Sequence, residues 1–368
     1  ADQRAAYDQM RDRCPVTQID DASMILRHAP VVAAANDPES FSSAVTARRA
    51  IPNSLDGEEH AAYRAIVERF LTPERVAGEE DKSRRVATDL VAGLPRGQMV
   101  ATIATIGTPF AVRSMSAWLG WPAELHQVLI EWMGENHAAT RSGDRERMAR
   151  VAEEFDQLIS TQLESRRGAT PTDVTGELMQ QTVFGRALTH AEIVSILRNW
   201  TAGDLGSLAT SIGVIVHYLA AHHTVQREVR ALVNARRTEE TEAALEEILR
   251  IDDPFVSNRR RATRAVELAG AQIPAQGRVL LNWTAANRDP LVFGDPDRYD
   301  PAGNAGANLV FGVGPHACPA RGLSLMQLRV ITEELLTGTT WLEPAPDEQA
   351  VRQTPPVGGW ARVPVVLS

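Results

Sequence analysis

A long predicted helix between Thr189 and His222 constrains the fold of this chain more than any other stretch. It spans about 30 residues, or about 45 Å at 1.5 Å per residue. Because its second half is apolar almost all round, we expect it to run buried through the middle of a mainly helical protein. Gly203 and Gly206 inside it each cost about 1 kcal/mol relative to alanine. They indicate a close approach of another group, a local kink, or simply glycine packing.

The composition narrows the class of protein. Of the 368 residues, 43% are hydrophobic and 23% are charged, as is typical of a soluble globular protein. The net charge of −9 argues against nucleic acid as a partner. We find no apolar run of membrane-spanning length and no signal peptide. We therefore expect a cytoplasmic protein that does not bind a membrane.

The length exceeds the usual limit for a single hydrophobic core and by itself favours two domains. A helical domain built around a cofactor can pass that limit, because the cofactor adds to the core. No internal repeat or low-complexity linker divides the sequence. We therefore predict a single domain over residues 1–368, with β-rich parts at about 255–285 and 340–368 and helices elsewhere.

A lone cysteine, Cys318, follows a glycine-rich turn and precedes a predicted helix from Leu323 to Leu336. A short apolar strand, Leu309 to Phe311, is predicted to lead into the turn. A thiol at a helix N-terminus lies among free backbone N–H groups, so we expect its thiolate to be favoured. Gly312 and Gly314 lack the Cβ that would keep a flat, bulky group away from the backbone.

Two other interpretations of this stretch remain open on its residues alone. Cys318 could be a buried structural cysteine. The spacing Gly312-x-Gly314-x-x-Ala317 also fits a loose dinucleotide-binding pattern, but too little chain follows it to complete the fold that such a pattern needs. A disulfide with Cys14 is disfavoured in a cytosolic protein.

A second pattern places two basic side chains on one helical face. Asp56 is a predicted N-cap with Glu59 three residues later. His60 and Arg64 then lie at positions i and i+4, so both can contact one anionic group. The alternative is an ordinary solvated helix face.

The run Phe311-x-x-Gly314-x-His316-x-Cys318, followed by Leu323-Ser324, resembles the haem-binding loop of the cytochrome P-450 monooxygenases. The resemblance implies the cytochrome P-450 fold: mainly α with small β-sheets, and haem b between a long distal helix and the loop and helix of the cysteine ligand. Cys318 would then be the axial ligand of the iron. Ala320 stands where the family usually has glycine, and Ser324 where it usually has alanine.

The same resemblance implies the other haem contacts. His60 and Arg64 would hold one propionate, with His316 approaching it. Arg260 would hold the second, with Arg259 and Arg261 as alternatives if the register is shifted by one. The complete predicted cofactor-binding set is His60, Arg64, Ala202, Arg260, Phe311, Gly312, His316, Cys318, Ala320 and Ser324.

The distal helix departs from the family pattern. Ala202-Gly203 matches, but Leu205 stands where an acid is expected and Gly206 where a threonine is expected. Asp204 and Ser207 lie one position early and one late, about 100° away around a regular helix. Proton delivery would then require a helical bulge, ordered water or a substrate hydroxyl, unless the oxidant is peroxide. The predicted catalytic set is Gly203, Asp204, Leu205, Gly206 and Ser207.

Two further sets follow from family order. Glu247 and Arg250, with Arg298 downstream, resemble the buried structural triad of the family, although a surface ion pair at i, i+3 is the plainer interpretation. The predicted substrate contacts are Asn199, Ala202, Phe255 and Val256.

The function implied by the resemblance is oxygen insertion by a haem-thiolate monooxygenase, acting on a small or medium hydrophobic substrate with dioxygen. No flavin or iron–sulfur motif is found, so a separate ferredoxin or flavodoxin-like donor would supply electrons to a monomeric enzyme. The arginines expected at the docking face are Arg64, Arg69, Arg75 and Arg321. A peroxide-driven peroxygenase and a non-catalytic haem-thiolate sensor are the alternatives.

Overall fold

The computed structural model describes residues 2–46, 48–355 and 357–368, and the side chain of Ala202 lies outside the described part. The helices are, in chain order, α1 (Gln3–Arg13), α2 (His28–Ala35), α3 (Gly57–Glu68), α4 (Pro73–Ala92), α5 (Thr108–Leu119), α6 (Leu125–Ser142), α7 (Arg145–Glu164), α8 (Val174–Leu178), α9 (His190–Ala221), α10 (His223–Asn234), α11 (Thr238–Ile251), α12 (Trp283–Ala286), α13 (Pro290–Phe293), α14 (Pro301–Asn304) and α15 (Arg321–Thr337). A π-helical turn, Ile103–Gly107, precedes α5, and a 3₁₀ turn, Ala305–Ala307, follows α14.

The strands are short. They are β1 (Val16–Ile19), β2 (Ala22–Ile25), β3 (Phe41–Ser42), β4 (Met99–Ala101), β5 (Thr182–Val183), β6 (Arg186–Ala187), β7 (Ser257–Ala262), β8 (Val266–Leu268), β9 (Ala271–Ile273), β10 (Arg278–Asn282), β11 (Leu342–Pro344), β12 (Val351–Arg352), β13 (Trp360–Arg362) and β14 (Pro364–Leu367). The prediction of a mainly helical fold with small sheets is therefore confirmed.

The predicted long helix is confirmed as α9. Its N-cap, Thr189, accepts a hydrogen bond at Oγ1 from the N–H of Glu192, and the Glu192 carboxylate accepts one from the N–H of Thr189 at 2.7 Å. This reciprocal pair is a capping box, which satisfies two backbone donors that the helix leaves free. α9 is assigned as helix from His190 to Ala221, so neither Gly203 nor Gly206 interrupts it.

Glycines elsewhere allow another element to pack closely on α9. A Cβ on Gly213 would lie 2.8 Å from the side chain of Ile103, and a Cβ on Gly107 would lie 2.7 Å from the carbonyl oxygen of Ala209. The π-helical turn therefore rests directly against the backbone of α9. Gly203 has no atom within 4 Å of such a Cβ, because it faces open space.

α9 is also long and apolar enough to cross a membrane by length and composition alone, which corrects the expectation that no such run exists. In its most apolar window, 72% of the residues are buried inside the protein. A core helix passes the same test, and the packing around α9 is that of a core helix.

A five-stranded sheet in the order β1-β2-β10-β7-β3 stands beside the helices. β10 pairs in parallel with β2 and antiparallel with β7. The two segments predicted to be β-rich hold β7 to β10 and β11 to β14, as expected. β1 to β3, from the first 42 residues, join the same sheet, although they lie outside the two segments predicted to be β-rich. The single-domain interpretation stays a prediction.

The predicted strand from Leu309 to Phe311 is absent. The N–H of Leu309 donates to Oδ1 of Asn287 at 2.8 Å, and the N–H of Gly312 donates to the carbonyl of Leu309 at 2.9 Å. The N–H and the carbonyl of Leu309 are therefore already bonded to a side chain and within a turn, so they are not paired with a neighbouring strand. Apolar character alone predicted the strand wrongly.

Glu247 and Arg250 form a buried ion pair on α11. The guanidinium donates to both carboxylate oxygens at 2.7 and 2.9 Å, and both side chains are 2% exposed or less. The third predicted member is wrong: the Arg298 side chain is 72% exposed, and only its carbonyl accepts from Arg250. Asn304 takes that place, since its Nδ2 donates to Glu247 at 2.7 Å.

We predict that Arg250→Ala lowers the free energy of unfolding by about 3–5 kcal/mol, because it leaves the buried Glu247 carboxylate without its counter-charge. Arg298→Ala removes the same charge from the surface and should cost less than about 0.5 kcal/mol. Urea unfolding of the two variants and the parent checks both values. Equal losses in the two variants would contradict this assignment.

Candidate active site

A cavity lies between α9 and the loop that carries Cys318, together with the start of α15. About 290 Å³ of it is accessible to the centre of a water molecule. The predicted site residues that line it are Arg64, Asn199, Gly203, Asp204, Ser207, Phe255, Arg260, Phe311, Gly312, His316, Cys318, Ala320 and Ser324. The structure thus brings together residues that are up to 260 positions apart in sequence.

Several predicted site residues do not line this cavity, and Ala202 is outside the described side chains. Leu205 is 1% exposed in the main core, and Gly206 packs beside His137. Val256 joins a small apolar cluster on the other side of its extended segment, so its predicted substrate contact is wrong. His60 lies behind His316, with the two ring centres 4.1 Å apart.

The backbone of the cysteine loop determines where the thiol points. The N–H of Cys318 donates to the carbonyl of Phe311 at 2.7 Å, which closes the loop, and the N–H of Ala317 donates to Gly314 at 3.0 Å. Gly312 and Gly314 have φ of 68° and 78°, in the left-handed region that favours glycine. A Cβ on Gly314 would also lie 2.6 Å from the carbonyl oxygen of Ala35 in α2.

Without a cation at the sulfur, the surroundings of the Cys318 thiol favour its protonated form. Burial raises the pKa of the thiol to about 12, and the negative charge of Asp204 acts in the same direction. A hydrogen bond from the backbone of Ala320 and the charge of Arg64 oppose the increase without cancelling it. A metal cation at the sulfur is what would deprotonate this thiol.

Basic side chains gather at one edge of the cavity. Arg260 is 6% exposed, and within the described ranges its guanidinium has only one hydrogen bond, to the carbonyl of Arg259, and no carboxylate within 4 Å. The alternation of β7 turns Arg260 inward and leaves Arg259 and Arg261 exposed, so the register alternatives do not apply. Arg64 contacts Glu68 at 2.8 Å and the carbonyl of Pro315 at 3.2 Å.

The two histidines at this edge are held largely neutral. Burial lowers the pKa of His316 to about 4, with the charges of His60 and Arg260 acting in the same direction. Burial likewise lowers the pKa of His60. The Nε2 atom of His316 is 3.0 Å from the hydroxyl of Ser43. Each ring can therefore donate one hydrogen bond without adding a positive charge.

Asp56 precedes α3 as predicted, but its side chain does not cap the helix. Its carboxylate accepts from the hydroxyl of Ser42 and from the N–H of Ser43 at 3.0 Å, and Glu59 pairs with Arg49. The predicted capping box is therefore wrong. Asp56 instead ties the segment after β3 to the start of α3, next to His316.

One stripe of α9 faces the cavity, and it contains Asn199, Gly203, Asp204 and Ser207 at helical spacing. A regular helix therefore turns Asp204 and Ser207 toward the cavity without any bulge, and it turns Leu205 and Gly206 away. Burial raises the pKa of Asp204 to about 7. The Ser207 hydroxyl donates to the carbonyl of Gly203 at 2.8 Å.

The sequence did not single out some cavity residues. Asp253 lines the cavity just after α11, and burial raises its pKa to about 8. Trp200 lies one turn before Asp204, and Pro52 and Asn53 reach the cavity from the segment before α3. The helical spacing of Trp200 and Asp204 was a readable signal. Nothing local marks Pro52, which is positioned because Nδ2 of Asn199 donates to the carbonyl of Ile51 at 2.7 Å.

Comparison with known proteins decides the family. The family model described as Cytochrome P450 matches residues 98–359. The chain belongs to the cytochrome P450 family. It is 30% identical over 373 residues to the Erythromycin C-12 hydroxylase of Saccharopolyspora erythraea, which covers 96% of this chain and 91% of that protein. It is 27% identical to the Linalool 8-monooxygenase of Pseudomonas putida, over 85% of this chain and 82% of that protein.

Solved structures agree with this P450 assignment. A mutant of P450 EryK in complex with erythromycin B superposes with a TM-score of 0.89 at 26% identity, over 99% of this chain and 96% of that one. The ligand-free P450 TbtJ1 gives a TM-score of 0.87 at 27% identity, over 100% and 97%. The protein is therefore a P450 monooxygenase, an oxidoreductase of a family whose cofactor is haem iron.

The residues of the cavity fit that cofactor. Cys318 presents sulfur, a soft ligand suited to iron, at the cavity wall. Arg260 is a buried guanidinium without a carboxylate partner in the described chain, which is costly unless an anionic group binds it. Gly312 also lines the cavity, and without a Cβ it lets a flat group approach the loop backbone.

We predict that Gly314→Ala destabilises the protein by at least about 2 kcal/mol more than Gly143→Ala. Both glycines have positive φ, 78° and 67°, so both variants carry similar backbone strain. Only the Cβ at position 314 would also collide with Ala35, whereas position 143 has no atom within 4 Å. Thermal unfolding of the two variants provides the comparison, and equal midpoints would show that α2 does not constrain the loop.

Proposed function

We propose that this P450 uses haem b to insert one oxygen atom from dioxygen into a small or medium hydrophobic molecule. The observation that carries the proposal is the position of Cys318, whose thiol lines the same cavity as Asp204 and Ser207 of α9. The names of the relatives do not fix the substrate, since linalool and erythromycin differ greatly in size.

In this proposal Cys318 Sγ would bind the iron. Arg260, His316 and Arg64, at the edge of the cavity that also holds His60, would bind the propionates, because they are buried or half-buried hydrogen-bond donors. When bound, the haem supplies the oxygen-activating chemistry, which a thiolate ligand favours by electron donation. The hydrogen bond from Cys318 N–H to Phe311 keeps the sulfur on the cavity wall during the reaction.

The remaining tasks of the chain are to exclude water and to hold protons near the oxygen. Apolar residues such as Met115, Val67 and Leu208 surround much of the cavity. Ser207 offers a hydroxyl proton once it turns from the carbonyl of Gly203. Asp204 can hold or release a proton near neutral pH, because burial raises its pKa to about 7. These two residues take over from the acid and alcohol that the family pattern places at 205 and 206.

We predict that the purified holoprotein, once reduced and exposed to carbon monoxide, shows the strongly red-shifted Soret band of a thiolate-ligated haem. Cys318→Ala should abolish that band, because the variant lacks the sulfur ligand. Cys14→Ala, which removes the exposed thiol near α1, is the matched control and should leave it unchanged. An unshifted parent spectrum would refute the proposal.

Measuring product formation then distinguishes a monooxygenase from a peroxygenase. Product formed with dioxygen and an electron donor supports a monooxygenase. Product formed only with hydrogen peroxide would replace this with a peroxygenase, and no product with either, over a broad substrate panel, would favour a sensor.

For the electron donor we propose a separate ferredoxin or flavodoxin-like protein, with the chain acting as a cytoplasmic monomer. Three of the four arginines expected at the docking face are paired with carboxylates of the protein. Arg64, Arg75 and Arg321 pair with Glu68, Glu177 and Glu246. Arg69 donates to the neutral side chain of Gln181 and has no carboxylate within 4 Å among the described residues. It is therefore the best candidate for pairing with an acidic partner.

We predict that Arg69→Glu slows reduction by a reduced plant-type [2Fe–2S] ferredoxin by about tenfold at low ionic strength, because a repulsive charge replaces an attractive one at the docking face. The difference should shrink as salt screens the charges. Arg145→Glu, the same charge change at the start of α7, is the control. Stopped-flow reduction rates provide the test, and equal slowing in both variants would place docking elsewhere.

A further inference from the structure

The carboxyl group of Asp204 is the one acidic side chain on the α9 wall of the cavity. Its side chain is only partly buried, on the side that faces the cavity. Within the described residues, neither of its oxygens has a hydrogen bond or an ion pair with another protein group. It is therefore a half-buried carboxyl on the wall of a ligand cavity, without a partner in the described chain.

The other carboxyl on the cavity wall, that of Asp253, differs because it has hydrogen-bond partners. Asp253 accepts from the N–H of Phe255 at 2.8 Å and from Nδ2 of Asn287 at 3.0 Å. Both of its oxygens are used, so it has a structural explanation. Asp204 has no such partner in the described chain, so its carboxyl can bind a group of the ligand.

No cation among the described residues compensates Asp204. Burial is the cause that raises its pKa, and no arginine or histidine of the described chain contributes an opposing charge. Arg260 lines the same cavity, but at the edge that also holds His316. A positive charge beside Asp204 would therefore come from the ligand.

A tryptophan lies beside this carboxyl. Trp200 is four residues before Asp204, on the same face of α9, and also lines the cavity. Its ring is 5% exposed and packs against Phe70 and Trp118, with centres 5.4 and 5.1 Å apart. It therefore gives Asp204 an apolar neighbour, which suits the apolar body of a ligand.

We propose that the substrate of this P450 carries a positively charged nitrogen on an apolar body, and that Asp204 binds that charge. The proposal rests on the proposed function and names the substrate class for the same cavity. Asp204 is then a substrate-binding residue. With a cation bound it is ionised, so the hydroxyl of Ser207, and not Asp204, offers the proton when such a substrate is present.

The experiment compares two probes of the same shape, benzyltrimethylammonium and its neutral carbon isostere 2,2-dimethyl-1-phenylpropane. The quaternary nitrogen has no lone pair, so the cation does not ligate iron and only its charge distinguishes it. Binding to the ferric holoprotein is measured by equilibrium dialysis at pH 7.5 and compared with the shift of haem absorption. We expect the parent to bind the cation at least about tenfold more tightly.

Asp204→Asn should reduce that preference to about onefold, because the amide has nearly the same shape without the charge. Asp204→Glu should keep a preference. Glu154→Gln changes the net charge equally at an exposed position of α7 and should leave the preference unchanged. The parent comparison stands even if Asp204→Asn does not hold haem.

Equal binding of the two probes by the parent would overturn the proposal, as would an undiminished preference in Asp204→Asn. The carbon monoxide spectrum keeps this separate from the proposed function. A protein with the thiolate band and no charge preference refutes only the substrate class. A protein without the band refutes the haem-thiolate assignment itself.

Discussion

The hydrogen bond from the N–H of Cys318 to the carbonyl of Phe311 is the interaction on which the site depends. It closes a loop whose two left-handed glycines no other residue could replace without strain. Because the loop is closed before α15 begins, the thiol points into the cavity instead of along the helix. What the other cavity groups can do therefore depends on their distances from this sulfur.

A buried ion pair and a buried amide side chain hold the segments next to the cysteine loop in place. Glu247 and Arg250 join α11 to the segment around Asn304, and Asn287 receives the N–H of Leu309 just before the cysteine loop. These contacts satisfy polar groups that would otherwise destabilise the interior. They fix the far end of the loop, while Gly314 packs against Ala35 at its turn.

The sequence predicted well where local physics determines structure. α9 was readable from its apolar surface and from the Thr189 cap, and the cysteine loop was readable from its motif. Failures came where the outcome depends on distant partners. The Leu309 strand gave way to a side-chain hydrogen bond, and the Arg298 role passed to Asn304, which no spacing rule indicated.

The distal helix shows a different limit. Matching residues to the family pattern placed the functional positions at 205 and 206, and the geometry of a straight helix placed 204 and 207 in the cavity instead. A pattern gives residue identities in order, but the rotation of a helix about its axis is set by what packs on its other side. The π-helical turn and the main core set that rotation here.

Gly107 and Gly213 let the π-helical turn pack against α9 with no room for a methyl group between them, so this side of the helix fits its neighbour closely. The segment before α3 is joined to α9 by hydrogen bonds from Ile51 to Ser195 and from Asn199 to Ile51, and the Ile51 side chain lies in the main core. Pro52 and Asn53 follow directly and line the cavity. A substitution at Ser195 or Asn199 would therefore reach the cavity through this segment as well as through α9.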